Sequence, residues 1–326
     1  MPFPFHSMAA VLAVMAGSAL SLPATAQKFP EKPITIVVPY AAGGPTDMTA
    51  RLLGEGLAKE LGVSVLVENR TGAASIVAVN HILASPKDGY TIMMAPGTTT
   101  SMNPHLYQSL SYKPSDLAAI SLVTRQPFTV TASLALPAKD IKEMVEVAKS
   151  RPDGLTFGTT GTGSMTHIVG AWVADTLGIK MNEVPYKGTA ASTIDLVGNR
   201  LDLQLEVITS AAQVHNAGRA RVLGLLSDKR SELLPDVPTL KELGYPQLEA
   251  YTYFGLLAAA GTPADRIETL RAATERVVAS PEFVRTIAAT GAIAEASVTS
   301  QAYTDLLQRE YESWGAVIKP MNIRLD

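Results

Sequence analysis

The feature that most restricts the fold of this chain is an order of residues that occurs twice. In each copy a short strand-like run ends in Val-Pro-Tyr, glycine follows, and hydroxyl residues open a helical pattern, at Val38-Pro39-Tyr40 and at Val184-Pro185-Tyr186. A strand-like run that stops at a proline and a glycine turn before a helix is typical of a β-α unit. Two such units far apart in one chain favour an α/β fold with two similar parts.

The rest of the chain also alternates between strand and helix patterns. In the first part, strands are predicted at 34–38, 63–68 and 90–95, with helices at 47–61 and 73–85. A second series begins at 128–131 and continues with strands at 155–158, 181–184, 201–206 and 222–226 and helices at 141–150, 165–177 and 190–197. The C-terminal pattern is mainly helical, at 264–279, 281–290 and 300–317. Strands that alternate with helices predict parallel, doubly wound sheets.

Two extended stretches rich in β-branched or aromatic residues, 123–130 and 249–254, are candidates for passages between two parts of the chain. We therefore predict two doubly wound α/β domains joined by crossing strands. One domain is expected to contain residues 27–125 and 252–326, and the other residues 126–251. About 300 residues are enough for two domains of ordinary size.

The first 27 residues contain no Lys, Arg, Asp or Glu. An apolar run from Met8 to Leu22 is followed by Ala24-Thr25-Ala26, which has the small-x-small form of a signal-peptidase site. The run is too short for a comfortable transmembrane helix, which needs about 20 apolar residues. We predict a signal peptide over residues 1–26, cleavage near Ala26-Gln27 and export to the periplasm.

Composition excludes several classes of function. The net charge of −3 gives no basic surface for nucleic acid, and no partner of that kind is expected. The chain has no cysteine, which excludes thiol catalysis, cysteine-zinc sites and a lipoprotein anchor. The five histidines show no metal-ligand spacing. We therefore expect no metal and no cofactor.

Four loops that join a strand to a helix carry small or hydroxyl-bearing residues. Ligands of open α/β sheets bind beyond the carboxyl ends of the strands, where such loops lie. A helix N-terminus also offers unpaired N–H groups and the positive end of the helix dipole, so two facing N-termini predict a clamp for a small carboxylate. The residues expected to bind the ligand are Tyr40, Gly43, Gly44, Thr46, Thr98, Thr160, Gly163, Ser164, His167, Tyr186, Lys187, Gly188, Thr189 and Glu206.

The loop at 158–164, Gly-Thr-Thr-Gly-Thr-Gly-Ser, is similar to several phosphate loops and matches none of them. The Walker lysine is missing because Ser164 follows Gly163 directly, and Thr166 occupies the position of the third Rossmann glycine. Ser164 also lacks the flanking glycines of a nucleophile elbow. The loop predicts either a hydroxyl-rich anion-binding turn or an ordinary turn of an α/β unit.

Three polar side chains each have two interpretations. His167 either lines the cleft or packs against a neighbouring loop, and Lys187 either binds an anion or extends into solvent. Glu206 either accepts a hydrogen bond from a ligand or caps a neighbouring loop. Asp47 is expected to hold N-terminal amide groups and not to bind an anion.

From Pro30 nearly to the C-terminus, the chain resembles the solute receptors of tripartite tricarboxylate transporters, the Bug-type receptor family. The matching pieces are 29–34, Val38-Pro39-Tyr40 with Gly43-Gly44, Asp47, Ala50-Arg51, 67–73, 88–91, 103–107, Gly161-Thr162-Gly163-Ser164 with His167, 184–188, 234–239 and 260–263. The resemblance implies two α/β domains that close on a ligand like a flytrap. It also implies binding of organic carboxylates through backbone amides, hydroxyl groups and water. Arg125 lies outside the pattern and is expected to be a substrate-specific cation or a surface residue.

Two functions from different classes fit these residues. The first is a monomeric periplasmic receptor, not an enzyme, that captures a small organic carboxylate and delivers it to a tripartite tricarboxylate-type membrane permease. The expected ligand is an aliphatic or aromatic dicarboxylate, and a receptor that reports the ligand to a signalling partner also fits. The second is an exported hydrolase with Ser164 as nucleophile and His167 as base, for which the sequence offers no orienting acid. We favour the receptor.

Overall fold

The computed structural model describes residues 28–43 and 45–325. The predicted signal peptide, 1–26, and one expected ligand-binding residue, Gly44, lie outside the described residues. No helix in the described part of the chain combines the length and apolar character needed to cross a bilayer.

The described chain contains ten strands and eleven α-helices, each set numbered in chain order, and two short 3-10 helices at Ala73–Ser75 and Pro114–Asp116. The strands are β1 (Ile34–Val38), β2 (Val65–Asn69), β3 (Thr91–Pro96), β4 (Leu117–Ala132), β5 (Leu155–Thr159), β6 (Met181–Pro185), β7 (Leu203–Val207), β8 (Arg221–Leu226), β9 (Tyr251–Ala259) and β10 (Ile293–Ala294). The helices are α1 (Pro45–Leu61), α2 (Ile76–Ala84), α3 (Thr98–Ser101), α4 (Asn103–Leu106), α5 (Ile141–Ser150), α6 (Met165–Leu177), α7 (Thr189–Val197), α8 (Ile208–Asn216), α9 (Ala264–Val278), α10 (Pro281–Ala288) and α11 (Ser300–Met321).

The strands form one continuous hydrogen-bonded array in the order β2-β1-β3-β9-β4-β7-β5-β6, with β8 and β10 also paired to β4. The parallel pairing expected for the two β-α series occurs in β2-β1-β3 and in β6-β5-β7. Strands β4 and β9 run antiparallel to their neighbours, which the sequence pattern does not predict. They run in opposite directions because the chain passes along β4 and returns along β9.

The 16-residue strand β4 belongs to both ends of this array. From Leu117 to Pro127 it pairs with β9, and from Phe128 to Ala132 it pairs with β7 and β8. We call β2, β1, β3, β9 and the start of β4 the first half, and the end of β4 with β7, β5, β6 and β8 the second half. The register of β4 shifts at three places, two in the first half and one between Val130 and Thr131.

Helix α6 shows why the sequence forms these elements where it does. Its N-terminus is fixed because the Ser164 hydroxyl accepts a hydrogen bond from the backbone N–H of His167 at 3.3 Å. Its C-terminus is fixed by Gly178, whose φ of 60° is the left-handed conformation that glycine adopts without strain. The predicted range 165–177 is therefore confirmed at both ends.

The apolar core is divided between the halves, but helix α11 contacts both parts. Tyr303, near the start of α11, packs in a first-half cluster with Leu122 and Tyr253. Trp314, further along α11, packs in the second-half cluster that contains Phe157, and its ring lies 5.6 Å from that of Trp172. The C-terminal helix α11 therefore packs against the apolar cores of both halves.

Candidate ligand-binding site

A cavity of about 820 Å³ lies between the two halves. Its walls are the loops after β1 and β3, the loops before α6 and α7, and one face of the crossing strands β4 and β9. A volume of this size is in the range that takes a small organic molecule.

Nine of the fourteen residues expected to bind a ligand line this cavity. They are Tyr40, Gly43, Thr46, Thr98, Thr160, Gly163, Ser164, Thr189 and Glu206. Four others, His167, Tyr186, Lys187 and Gly188, do not line it.

The first loop of the cavity is held in place by the carboxylate of Asp47, which is only 2% exposed. Its Oδ2 accepts hydrogen bonds from the Gly43 backbone N–H and from Arg51 Nε, both at 2.9 Å. Its Oδ1 accepts from Arg51 Nη2 at 3.0 Å and from Asn69 Nδ2 at 2.9 Å. The Arg51 hydrogen bonds, followed by those from Gly43 and Asn69, lower the pKa of Asp47 to about 2. The predicted structural role of Asp47 agrees with this geometry.

The second loop, between β5 and α6, satisfies most of its own amide groups. The Thr160 N–H donates to Thr166 Oγ1 at 2.8 Å, and the Gly163 N–H donates to His167 Nδ1 at 3.0 Å. The backbone N–H groups of Met165 and Thr166, the first two of α6, have no hydrogen-bond partner in the described chain, and both residues line the cavity. These two groups, with the hydroxyls of Thr160 and Ser164, are the donors that this loop offers to a ligand.

His167 holds the second loop through a hydrogen bond from the Gly163 N–H and does not line the cavity. Because its Nδ1 accepts from a backbone N–H, its proton lies on Nε2, which is 3.6 Å from Glu183 Oε2. Burial lowers the pKa of His167, and the charge of Glu183 acts in the opposite direction. No hydrogen bond joins the His167 ring to the Ser164 hydroxyl, which instead bonds to Thr166 Oγ1 at 2.9 Å. The nucleophile–base pair of the hydrolase hypothesis is therefore not formed.

The tyrosine of the second Val-Pro-Tyr motif, Tyr186, does not line the cavity, whereas Tyr40 of the first motif does. The Tyr186 hydroxyl donates to Asp195 Oδ2 at 2.8 Å, and burial together with this bond raises the pKa of Tyr186 to about 12. Lys187 is exposed and has no ion-pair partner within the described residues, so it extends into solvent. The motif shapes the turn before α7 and contributes only Thr189 to the lining.

Glu206, at the end of β7, is the one carboxylate among the lining residues and is 6% exposed. Its Oε1 accepts from the Val207 N–H at 2.9 Å, and its Oε2 accepts from the Thr189 hydroxyl at 2.6 Å. Burial raises the pKa of Glu206, and the two hydrogen bonds act in the opposite direction.

The sequence analysis did not identify the remaining lining residues of the cavity. The missed lining residues are Ala41, Ala42, Ala74, Pro96, Met102, Asn103, Leu106, Gln126, Phe128, Met165, Thr166, Val207, Thr252 and Phe254. The period-two pattern of strands contains a signal for four of them, because Gln126 and Phe128 share one face of β4, and Thr252 and Phe254 share the same face of β9.

Arg125 lies on the opposite face of the crossing strands. Its Nε is 2.6 Å from Glu295 Oε2, and its guanidinium lies 4.6 Å from the centre of the Tyr251 ring. It lines a separate cavity behind the crossing and not the one described above. Of its two interpretations, that of a cation for the ligand in this cavity is therefore wrong.

A mixed α/β fold with a ligand-sized cavity between two β-α series is the architecture of the solute-binding protein class, and strong structural matches to proteins of this class agree with it. Residues 49–323 match the model of the tripartite tricarboxylate transporter family receptor, and the chain belongs to this family. The interpretation as a receptor and not an enzyme is confirmed, as is the resemblance to Bug-type proteins.

Three relatives illustrate the similarity. Protein BugT of Bordetella pertussis is 29% identical over 325 residues, which cover 98% of this chain and 99% of BugT. The structure of MatC from Rhodopseudomonas palustris with bound malate has a TM-score of 0.75 and 28% identity, and the match covers 89% of this chain and all of MatC. The structure of R. palustris Rpa4515 with adipate has a TM-score of 0.79 and 27% identity, and the match covers 91% of this chain and all of Rpa4515.

Proposed function

We propose that this protein is a periplasmic receptor that captures one small organic carboxylate, in particular a dicarboxylate, in the cavity between its halves. It then delivers the ligand to a membrane permease of the tripartite tricarboxylate type. The proposal includes a signal peptide at 1–26, a monomeric mature protein, and two domains formed by residues 27–125 with 252–326 and by residues 126–251. Ligand that contacts both domains shifts an open–closed equilibrium towards the closed form.

The observation that carries this proposal is the set of donors around the cavity. The N-termini of α1 and α6, the hydroxyl groups of Thr46, Thr98, Thr160 and Ser164, and the free amides of Met165 and Thr166 surround a volume suited to a small molecule. Such groups stabilise a carboxylate without a basic side chain. The relatives MatC and Rpa4515 hold malate and adipate, which are dicarboxylates, and this supports the same ligand class here.

A thermal-shift screen tests the proposal. Mature protein is unfolded and refolded to remove bound ligand, then heated with mono-, di- and tricarboxylates, with sugars and amino acids as controls. A ligand at 100 times its Kd stabilises the protein by about 2.7 kcal/mol, which is readily detected. We expect a shift with a subset of carboxylates. A shift with sugars alone, or no shift with any carboxylate, would refute the proposal.

Two variants test whether the ligand binds in this cavity. Thr46→Ala removes a lining hydroxyl at the N-terminus of α1, whereas Lys187→Ala changes an exposed side chain that does not line the cavity. Calorimetric titration should show weaker ligand binding for Thr46→Ala and unchanged binding for Lys187→Ala. Equal losses in both variants would mean that the ligand binds elsewhere.

A further inference from the structure

The lining of the ligand cavity has an unusual charge distribution for a site that binds anions. Among its described lining residues there is no Lys, Arg or His, and the one carboxylate is Glu206. A dianion in this cavity would therefore meet a third negative charge and no positive side chain. Either the charges are separated within the cavity, or one of them is neutralised by a proton.

The hydrogen bonds of Glu206 determine where such a proton can lie. The Val207 N–H that faces Oε1 can only donate, so Oε1 remains an acceptor. The hydroxyl of Thr189 at Oε2 can either donate or accept. With Thr189 as donor, both oxygens accept hydrogen bonds, which favours the carboxylate form against the effect of burial, and each oxygen retains capacity for one further bond.

Glu206 also occupies the end of the helix that a ligand would otherwise use. Thr189, its partner at 2.6 Å, is the first residue of α7, and Gly188 before it supplies no side-chain cap. The positive end of α7 therefore already faces a carboxylate of the protein. Of the helices with eight or more residues, α1 and α6 have first-turn residues that line the cavity and do not contact Glu206, so the two ends of a ligand meet chemically different surroundings.

Within the described residues, no charged side chain forms a hydrogen bond or an ion pair with the Glu206 carboxylate. Its backbone carbonyl accepts from Thr129 on β4, and its carboxylate is held only by Thr189 and Val207. Each titratable side chain on the elements packed against β7 is engaged elsewhere or lies outside the lining. These side chains are Arg125 on β4, His167 and Asp175 on α6, Asp195 on α7 and His215 on α8.

We infer that Glu206 selects ligands by requiring one shared hydrogen between its carboxylate and the second polar group of the ligand. A dicarboxylate then binds together with one proton taken from solvent, which lies between Glu206 Oε2 and the second carboxylate. A hydroxycarboxylate brings its own hydrogen and binds without proton uptake. This inference rests on the proposed function, since it assumes that the first carboxylate is bound in the same cavity.

The inference gives a sign and a slope for the pH dependence of affinity. If one proton is taken up with a dicarboxylate, its Kd rises about tenfold for each pH unit between pH 6 and pH 9. The Kd of a hydroxycarboxylate stays level over the same range, because neither the ligand nor Glu206 changes its protonation on binding.

Calorimetric titration with two pairs of probes of matched length tests this. The pairs are adipate with 6-hydroxyhexanoate, and succinate with 4-hydroxybutyrate, each measured at pH 6, 7, 8 and 9. Repeating the titrations in buffers with different ionisation enthalpies counts the protons taken up. We expect one proton for the dicarboxylate that binds and none for its hydroxy partner. A level Kd with no proton uptake for the dicarboxylate would overturn the inference.

The variant Glu206→Gln provides a second readout. A glutamine amide supplies permanent hydrogens, so dicarboxylate binding should become independent of pH and at pH 9 should be at least about tenfold tighter than in the unaltered protein. Retained binding of the hydroxycarboxylate shows that the variant is folded. If the variant keeps the original pH dependence, Glu206 is not the group that shares the proton.

A matched control is Glu310→Gln on α11. Burial also raises the pKa of Glu310, which accepts a hydrogen bond from Trp314 Nε1 at 2.9 Å, but this residue does not line the cavity. Its substitution should leave the pH dependence of binding unchanged. If neither these four probes nor any carboxylate of the thermal-shift screen binds, the proposed function fails. If dicarboxylates bind without a proton, only this inference fails.

Discussion

The substitution Asp47→Asn tests whether one buried carboxylate holds the first loop of the cavity. The carboxylate accepts two hydrogen bonds on each oxygen, from Gly43, Asn69 and twice from Arg51. Asparagine has the same shape but replaces one oxygen with an NH₂ group, which cannot accept. Two of the four bonds are therefore lost whichever way the amide is oriented.

The size of the effect follows from these bonds. A hydrogen bond to a charged group contributes about 1.5–3 kcal/mol, and the half-exposed side chain of Arg51 places its bonds at the lower end of that range. We expect Asp47→Asn to lower the free energy of unfolding by about 2–4 kcal/mol at pH 7. Urea unfolding followed by circular dichroism measures this directly.

The pH dependence of this difference has a definite sign. The pKa of Asp47 is about 2 in the folded protein and about 3.9 in an unfolded chain. A lowered pKa contributes stability above the unfolded value, and this contribution is lost as the pH falls through the folded value. The difference between the original protein and the variant should be constant from pH 8 to pH 5 and should shrink below pH 4.

The control is Asp153→Asn, because the Asp153 side chain is exposed and forms no hydrogen bond or ion pair within the described chain. It should change the free energy of unfolding by less than about 0.5 kcal/mol. If Asp47→Asn behaves like this control, the carboxylate does not hold the loop and the reasoning from its four bonds is refuted.

Two further predictions use matched pairs. Ser164→Ala and Ser280→Ala each remove an N-cap hydrogen bond of 3.3 Å, so each should cost about 0.5–2 kcal/mol in unfolding, but only the first, in the cavity, should also weaken ligand binding in calorimetry. Equal binding losses would contradict the assigned site. Gly54→Ala in α1 should raise the free energy of unfolding by about 0.5–1 kcal/mol, because the added Cβ would lie at an ordinary contact distance of 3.4 Å from the nearest atom. Gly56→Ala should lower the free energy of unfolding by about 1–3 kcal/mol, because the added Cβ would lie 2.9 Å from one methyl group of Val277 and closer to the other. If both glycine variants change stability in the same direction, the packing argument is refuted.

The sequence predicts elements well where local chemistry sets both ends. Helix α6 is predicted to the residue, since Ser164 and Gly178 mark its termini without help from the rest of the fold. Helix α2 starts later than predicted because Ala74 and Ser75 adopt positive φ values, which no residue type at those positions indicates. The direction of β9 depends on where the chain returns from the second half, and a local pattern contains no such information.

The same division applies to the cavity. Residues that follow a strand and begin a helix, such as Thr46 and Ser164, are found from sequence because that position alone brings them to the edge of the sheet. His167 and Tyr186 lie at equally suitable positions, but their side chains bond to Gly163 and Asp195 and are turned away. Which of two available partners a polar side chain chooses depends on loop curvature, and this becomes visible only in three dimensions.

The shared strand β4 has a consequence for how the chain folds. Its 16 residues supply hydrogen bonds to β9 at one end and to β7 and β8 at the other. Unfolding either half would remove a paired strand from its neighbour. It would also remove one of the two clusters against which α11 packs, that of Tyr303 in the first half or that of Trp314 in the second. We therefore expect the two halves to stabilise each other, so that loss of structure in one lowers the stability of the other.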